Sequence, residues 1–408
     1  MAIKNLISLI SGLPRPSHLL ALLHASHCQA IVAQHLSHLA TCIRPAETAR
    51  QQSIVLSWPG AGIAYIDDIM GMRAEVNAAI SAVADAVARF EPVKLLVDAE
   101  QFDDAQRRFP SNGTLQRAHP VEVCVVESGG TDLWMRDIAP TFTRGADGRL
   151  RGVDFNFNGW GKMAGCEESA RLAKTLLDAM GVPRVASSIT TEGGAFEIDG
   201  HGTLMASESC IVNANRNPGQ TRAQIEAELA RTLGVQKFIW VPGAKDLDST
   251  DFHIDAVARF ARPGTVLFAS PRPECASDSE QDTQWINAHH EARRILAAAT
   301  DARGHPLEII DMAEPRLEEV IVEKKAREAL LASQTNTSAN RPVFSYVNYL
   351  LVNGGVVFPQ FGDRTADEAA LQTARKVFSD REVVTVNVRV LGLVGGGIHC
   401  ISQEVPLV

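Results

Sequence analysis

Close to the end of this 408-residue sequence, the run LGLVGGGIHCISQEVP (391–406) sets Cys400 directly behind three glycines and the pair Ile-His. Glycines permit backbone angles closed to other residues and let another group come near. A thiol in that setting can attack a bound planar group, or it can be a buried, inert cysteine, the commonest fate of a free thiol. His399 is adjacent, but neighbours on an extended segment point to opposite faces. A base for Cys400 is therefore expected from elsewhere, and His253 in DSTDFHIDAVARF (248–260) is the candidate. His253 and Asp255 stand two apart, so on a strand both point to one side. The outer aspartates of this stretch, Asp246, Asp248 and Asp251, also read as a solvated loop cluster.

Two further carboxylates stand in unusual company. Glu192 opens EGGAFEI with two glycines behind it, and Asp137 follows Trp134 by three in TDLWMRDIAPTF (131–142). Singly, a carboxylate is usually a surface residue. With His253, Asp255 and Cys400 they make a thiol, an imidazole and three carboxylates, each at the edge of a hairpin or glycine turn. A planar cation needs such a set: acceptors for its fork of N–H groups and a nucleophile for its carbon.

The elements that must position these groups recur. In GAFEIDGHGTLMAS the turn 199–202 separates two strand-like runs, followed by a helix at 221–233 and the strand KFIWVP (237–242). YVNYLLVNGGVVFPQF (346–361) repeats this order with Asn353-Gly354 as its turn, a helix at 367–378 and the strand EVVTVNV. DAVARFARPGTVLFAS (255–270) and APTFTRGADGRLRGVDF (139–155) begin two more copies. The first copy is irregular: IVLSWP (54–59), a helix at 73–90 and VKLLVD (93–98). A hairpin of this size needs neighbours to be stable, and a ring of five β-β-α-β units around a central site is the expected α/β architecture. A doubly wound open sheet is disfavoured, since the hairpins are antiparallel and no G-x-G-x-x-G links a strand to a helix.

The net charge of −9 argues against nucleic acid as the main partner and suits a cationic ligand. Apolar residues make up 45% of the chain, yet no run is long enough to span a membrane. Seven cysteines, scattered and without a C-x-x-C pair, form neither a disulfide framework nor a zinc pattern. The first 46 residues contain no Asp or Glu, and their basic residues are Lys4, Arg15 and Arg44. They read as an extension before a single catalytic domain at 47–408. A cytoplasmic protein is expected, or a mitochondrial one if the extension is a transit segment.

In sequence order, RPAETARQQSIVLSWP (44–59), WMRDIAPTF (134–142), EGGAFEIDGHGTLMASESCIVNANRNP (192–218), IWVPGAKDLDSTDFHID (239–255), SYVNYLLVNGGVVFPQFGD (345–363) and GGGIHCISQEVP (395–406) resemble the agmatine deiminase and bacterial-type peptidylarginine deiminase family. The likeness runs over 44–408. It implies the pentein fold, a five-bladed pseudo-symmetric α/β propeller of ββαβ units. It also implies Cys400 as nucleophile, His253 as general acid and base, and Glu192 orienting the catalytic groups. Asp137 and Asp255 would bind the guanidinium nitrogens, with Trp134 against the substrate. Asp248, Asp251 and Phe252 are taken as the rim facing the rest of the substrate.

The implied reaction is hydrolysis of a guanidine to a ureido product and ammonia through a covalent thiouronium, with no metal, calcium or organic cofactor. Agmatine, giving N-carbamoylputrescine, is the expected substrate. Peptidyl arginine or an arginine-derived metabolite giving citrulline is the alternative, followed by amidino transfer and silent guanidine binding. The partner is then a small guanidine or an arginine-containing peptide; nucleic acid and membrane are not expected, and homo-oligomer assembly is left open. This chain departs from the family pattern at Ser249, Phe252, Ala139, Ala256 and Glu404, which bears on the substrate's tail more than on the reacting groups.

Overall fold

The computed structural model describes residues 42–60, 63, 66, 71–110, 117–126, 132–162, 166–272, 280–323, 327 and 341–408. In chain order its strands and longer helices begin with β1 (Cys42–Ile43), β2 (Gln51–Ser57), α1 (Arg73–Val87), β3 (Val93–Val97) and β4 (Val121–Val125). Next come β5 (Thr141–Gly145), β6 (Leu150–Asp154), α2 (Glu167–Met180), β7 (Arg184–Ala186), β8 (Phe196–Ile198), β9 (Thr203–Ser207), α3 (Arg222–Leu233) and β10 (Lys237–Val241). The last stretch holds β11 (Ala258–Arg262), β12 (Thr265–Ser270), α4 (Glu280–Ala298), β13 (Glu308–Ala313), β14 (Leu350–Val352), β15 (Gly355–Gln360), α5 (Arg364–Val377), β16 (Glu382–Asn387) and β17 (Gln403–Pro406).

Among the described residues these strands make five separate sheets, ordered β1-β5-β6-β7, β17-β2-β3-β4, β10-β9-β8, β11-β12-β13 and β14-β15-β16. Each contains an antiparallel pair, and the second strand of that pair lies parallel to the next strand in sequence. One of the longer helices stands between the two parallel strands: α1 between β2 and β3, α2 between β6 and β7, and so on to α5 between β15 and β16. The shared strand is paired on both sides, which suits its near-continuous apolar run. All of β9 is buried, as is all but the last residue of β12 and of β15.

Local chemistry sets the breaks. Gly354 turns the β14–β15 hairpin at φ 76° and Gly200 the β8–β9 hairpin at φ 73°, angles that a side chain resists. Helix α3 opens on a capping box, with Thr221 and Gln224 satisfying each other's backbone N–H groups. Its Ile225, Leu229 and Leu233 recur at helical spacing and are buried, each contributing about 1.5–3 kcal/mol by leaving water.

Four hairpins stand where the sequence predicts them. The irregular first unit has a different explanation: its antiparallel partner comes from the other end of the chain. Strand β17 pairs with β2, matching Gln403 to Val55 and Glu404 to Ile54. Residues 42–46, expected in the extension, also join the fold. Strand β1 pairs with β5, and the Arg44 guanidinium is buried 2.5 Å from Glu404. The targeting reading of the remaining N-terminal residues, 1–41, lies outside the described residues, and among those described no helix is long and apolar enough to cross a membrane.

Candidate active site

One position recurs across the five sheets, a few residues before the first strand of the antiparallel pair. It holds Asp137 before β5, Glu192 before β8, His253 and Asp255 before β11, Asn348 before β14, and Cys400 before β17. Those side chains converge. A Cβ built on Gly194 would lie 2.7 Å from His253 Nδ1, 3.0 Å from Asp137 Oδ1 and 3.1 Å from Asp255 Oδ2. The glycine thus lets three functional groups close on one point.

Cys400 lies on a turn rather than on an extended segment. Asn348 clamps that turn: its Oδ1 accepts from the backbone N–H of His399 (2.9 Å) and of Cys400 (3.3 Å). Its Nδ2 donates to the Cys400 sulfur and to the Asp255 carbonyl, each at 3.3 Å. Asp255 Oδ2 is 3.7 Å from Cys400 Sγ. Burial, reinforced by Asp255 and Asp137, pushes the thiol well above its ordinary value. The glycines before it meet protein rather than ligand: a Cβ on Gly396 would lie 2.1 Å from the Trp134 ring, and one on Gly397 would lie 2.3 Å from Asn348 Oδ1.

His253 stands between carboxylates, with Nδ1 3.7 Å from Asp137 and Nε2 3.5 Å from Glu192. Burial opposes its charge, but Asp137, Glu192 and Asp255 outweigh burial and push the imidazole up to about 9. Burial would also lift Glu192, yet Arg216 and His253 hold it down at about 2. The Arg216 Nε reaches both Glu192 oxygens, at 2.8 and 3.0 Å. Burial, with Asp255 and Glu192 nearby, raises Asp137 to about 6 against the pull of His253. Its Oδ2 accepts from the Trp160 indole at 2.8 Å and its Oδ1 from the Gly194 N–H at 3.1 Å. Asp255 is lowered: burial works against its charge, and His399 prevails. Its Oδ1 is buried and has no hydrogen-bond partner among the described residues.

His253 and Asp255 meet as expected, but through a 3-10 turn at Ile254–Ala256 instead of a strand. The three residues expected at the rim are all held by the protein itself. Phe252 is fully buried at φ 79°, its ring edge-on to Trp285 and His289 at 5.0 Å. Asp251 is engaged by Arg216 (2.7 Å) and Asn215 (2.9 Å), and Asp248 caps the backbone N–H groups of Thr250 and Phe252. All three brace the loop that carries His253. Asn348 and Arg216 are the groups that residue type did not single out. Aligning the five strand entrances would have found Asn348; Arg216 lies away from such an entrance.

Behind the site, Glu47, Glu197 and His399 are spaced as metal ligands could be. Arg136 and Arg259 already bridge Glu47, and Arg259 also reaches Glu197 at 2.9 Å. A cation there would have to displace buried guanidinium groups, which fits the donors poorly. The five cysteines among the described residues are free thiols.

The model of the Porphyromonas-type peptidyl-arginine deiminase family matches residues 43–406. Agmatine deiminase of Pseudomonas fluorescens (strain SBW25) is 36% identical over 369 residues, covering 89% of this chain and 95% of that protein. The agmatine deiminase of Pseudomonas syringae pv. tomato (strain ATCC BAA-871 / DC3000) is 37% identical, with the same shares of both chains covered. Among solved structures, agmatine deiminase of Enterococcus faecalis superposes with a TM-score of 0.73 at 26% identity, over 90% of this chain and 96% of that one.

Proposed function

This chain belongs to the Porphyromonas-type peptidyl-arginine deiminase family, and on that premise we propose that it hydrolyses agmatine to N-carbamoylputrescine and ammonia. It is a hydrolase of guanidinium C–N bonds, with a small guanidine as its partner. The five sheets are read as blades of a propeller, the pentein fold, formed by residues 47–408 as one catalytic domain together with the strand before it. Support comes from the five strand entrances, which send their polar residues to a shared site.

Cys400 is the nucleophile, His253 the general acid and base, and Glu192 the group that orients His253. Asp137 and Asp255 receive the guanidinium N–H groups, with Trp134 against the substrate. With Glu192 paired to Arg216, Asp137 and Asp255 outnumber the one imidazolium of His253, so a guanidinium is the charge this pocket lacks. Its arrival beside Cys400 favours the thiolate, and the thiol proton leaves to solvent. Sulfur then bonds to the guanidinium carbon while one C–N bond breaks, and protonated His253 delivers the proton that lets ammonia depart. Neutral His253 next takes a proton from water. The resulting hydroxide adds to the thiouronium carbon, the C–S bond breaks and the added hydroxyl gives up its proton to solvent, leaving the ureido product and Cys400 as thiolate.

The observation carrying this reading is the convergence of Asp137, His253 and Asp255 on Gly194, with Asp255 hydrogen-bonded to Cys400. Its test is ammonia and ureido release from agmatine, arginine, blocked arginine and C-terminal-arginine peptides. Agmatine is expected to be turned over best, with one ammonia per ureido group. Cys400→Ala is expected to abolish turnover with unfolding unchanged. A folded wild-type protein inert towards every guanidine would overturn the proposal, and substantial activity in Cys400→Ala would overturn the nucleophile.

A further inference from the structure

His399 belongs to the glycine-rich run that carries the nucleophile, yet the mechanism leaves it unused. It is 1% exposed, and both ring nitrogens meet carboxylates. Nδ1 lies 2.7 Å from Asp255 Oδ2 and Nε2 lies 2.9 Å from Glu47 Oε1, with a Glu197 oxygen further off at 3.8 Å. An ionised carboxylate only accepts hydrogen bonds, so Nδ1 is the donor in its pair with Asp255. Glu47 cannot swing away easily, because Arg136 (3.1 Å) holds the same oxygen and Arg259 holds the other.

The consequence falls on Asp255. One of its oxygens is occupied by His399, and the other is buried without a partner among the described residues. A carboxylate free to rotate would offer a guanidinium either oxygen at variable angles, whereas this one presents a single fixed acceptor. Preorganised acceptors bind without the cost of being ordered on arrival.

We propose that His399 is a positioning residue which, braced by Glu47, pins Asp255 Oδ2 and leaves Oδ1 aimed at one guanidinium N–H. This deepens the proposed function, since it rests on Asp255 as a guanidinium ligand. It assigns two residues to the recognition of substrate without direct contact.

Two substitutions separate positioning from mere packing. The amide of His399→Asn stands near the place of Nδ1 and keeps a donor for Asp255, while the link to Glu47 is lost. The longer His399→Gln puts its amide near Nε2, keeping Glu47 and losing Asp255. Agmatine binding is measured by calorimetry in Cys400→Ser protein, alone and combined with each substitution, beside KM and kcat in the wild-type background. Glutamine is expected to weaken binding and raise KM by about tenfold or more, the worth of one charge-assisted hydrogen bond, and asparagine by less than about threefold. Equal losses in both variants, or none in either, overturn the positioning role.

Should neither variant fold, nitrogen-15 spectra of the histidine rings in Cys400→Ser protein decide. The His399 Nδ1–H signal is expected to move when agmatine is added, and an unchanged signal with agmatine bound overturns the proposal. A wild-type protein that binds and turns over no guanidine is a separate result, and it removes the proposed function itself.

Discussion

Asp137 and His253 titrate on opposite sides of neutrality, and the mechanism needs both in their charged forms. Asp137, raised to about 6, binds a guanidinium only when ionised; His253, raised to about 9, gives ammonia its proton only when protonated. The thiol of the free enzyme, held well above its ordinary value, must also lose its proton. A plot of kcat/KM for agmatine against pH should therefore climb most steeply below about 6, less steeply from there to about 9, and level off above it, because that ratio reports groups of the free enzyme. Replacing Asp137 with Asn should remove the break near 6 along with most activity. A profile still rising well beyond 9 would remove His253 as the proton donor. Residue type was enough to nominate Cys400, His253, Glu192, Asp137 and Asp255, since thiol, imidazole and carboxylates carry their chemistry wherever they stand. Asn348 and Arg216 were not legible that way. An amide that clamps a turn and a guanidinium that pins a carboxylate act only through neighbours far away in sequence. Phe252 has a left-handed φ and packs its ring against Trp285, a direction that local sequence does not reveal.

At the scale of elements, the short turn Gly193–Ala195 shows how a segment without reactive groups can control the site. Gly194 does not have a left-handed φ, so its backbone would accept alanine. The added methyl would stand among His253, Asp137 and Asp255, at 2.7, 3.0 and 3.1 Å. Gly194→Ala is expected to cut kcat/KM by about 100-fold, as small misplacements of catalytic groups do. Thermal unfolding should stay close to the wild type. Steady-state kinetics beside calorimetric unfolding checks this, and a near-normal kcat/KM would mean that the three groups do not work as one site. Hairpins and helices were readable because their signals are local, such as Asn353-Gly354 and the helical spacing of Ile225, Leu229 and Leu233. The fourth strand β4 and the short β1 bear no such mark, being added by pairing with β3 and β5.

Across the whole molecule, the feature least visible in sequence is the pairing of β17 with β2. The two strands pair at four positions, with a register shift between Val405 and Pro406, yet nothing in either one names the other. The same region is tied together by charge. Glu404 bridges Arg44 and Arg136, Arg136 also reaches Glu47, and Glu47 touches His399. That pairing also sets a timetable for folding. Four of the sheets contain an antiparallel pair close in sequence and can begin forming independently. The fifth must bring together segments separated by most of the chain, and loop closure over such a distance is slow. Cys400 lies three residues before β17, so the nucleophile reaches its partners only with this last closure. In refolding from denaturant, circular dichroism should recover first and agmatine turnover only later. Recovery of both at one rate would mean that the ends of the fold meet early.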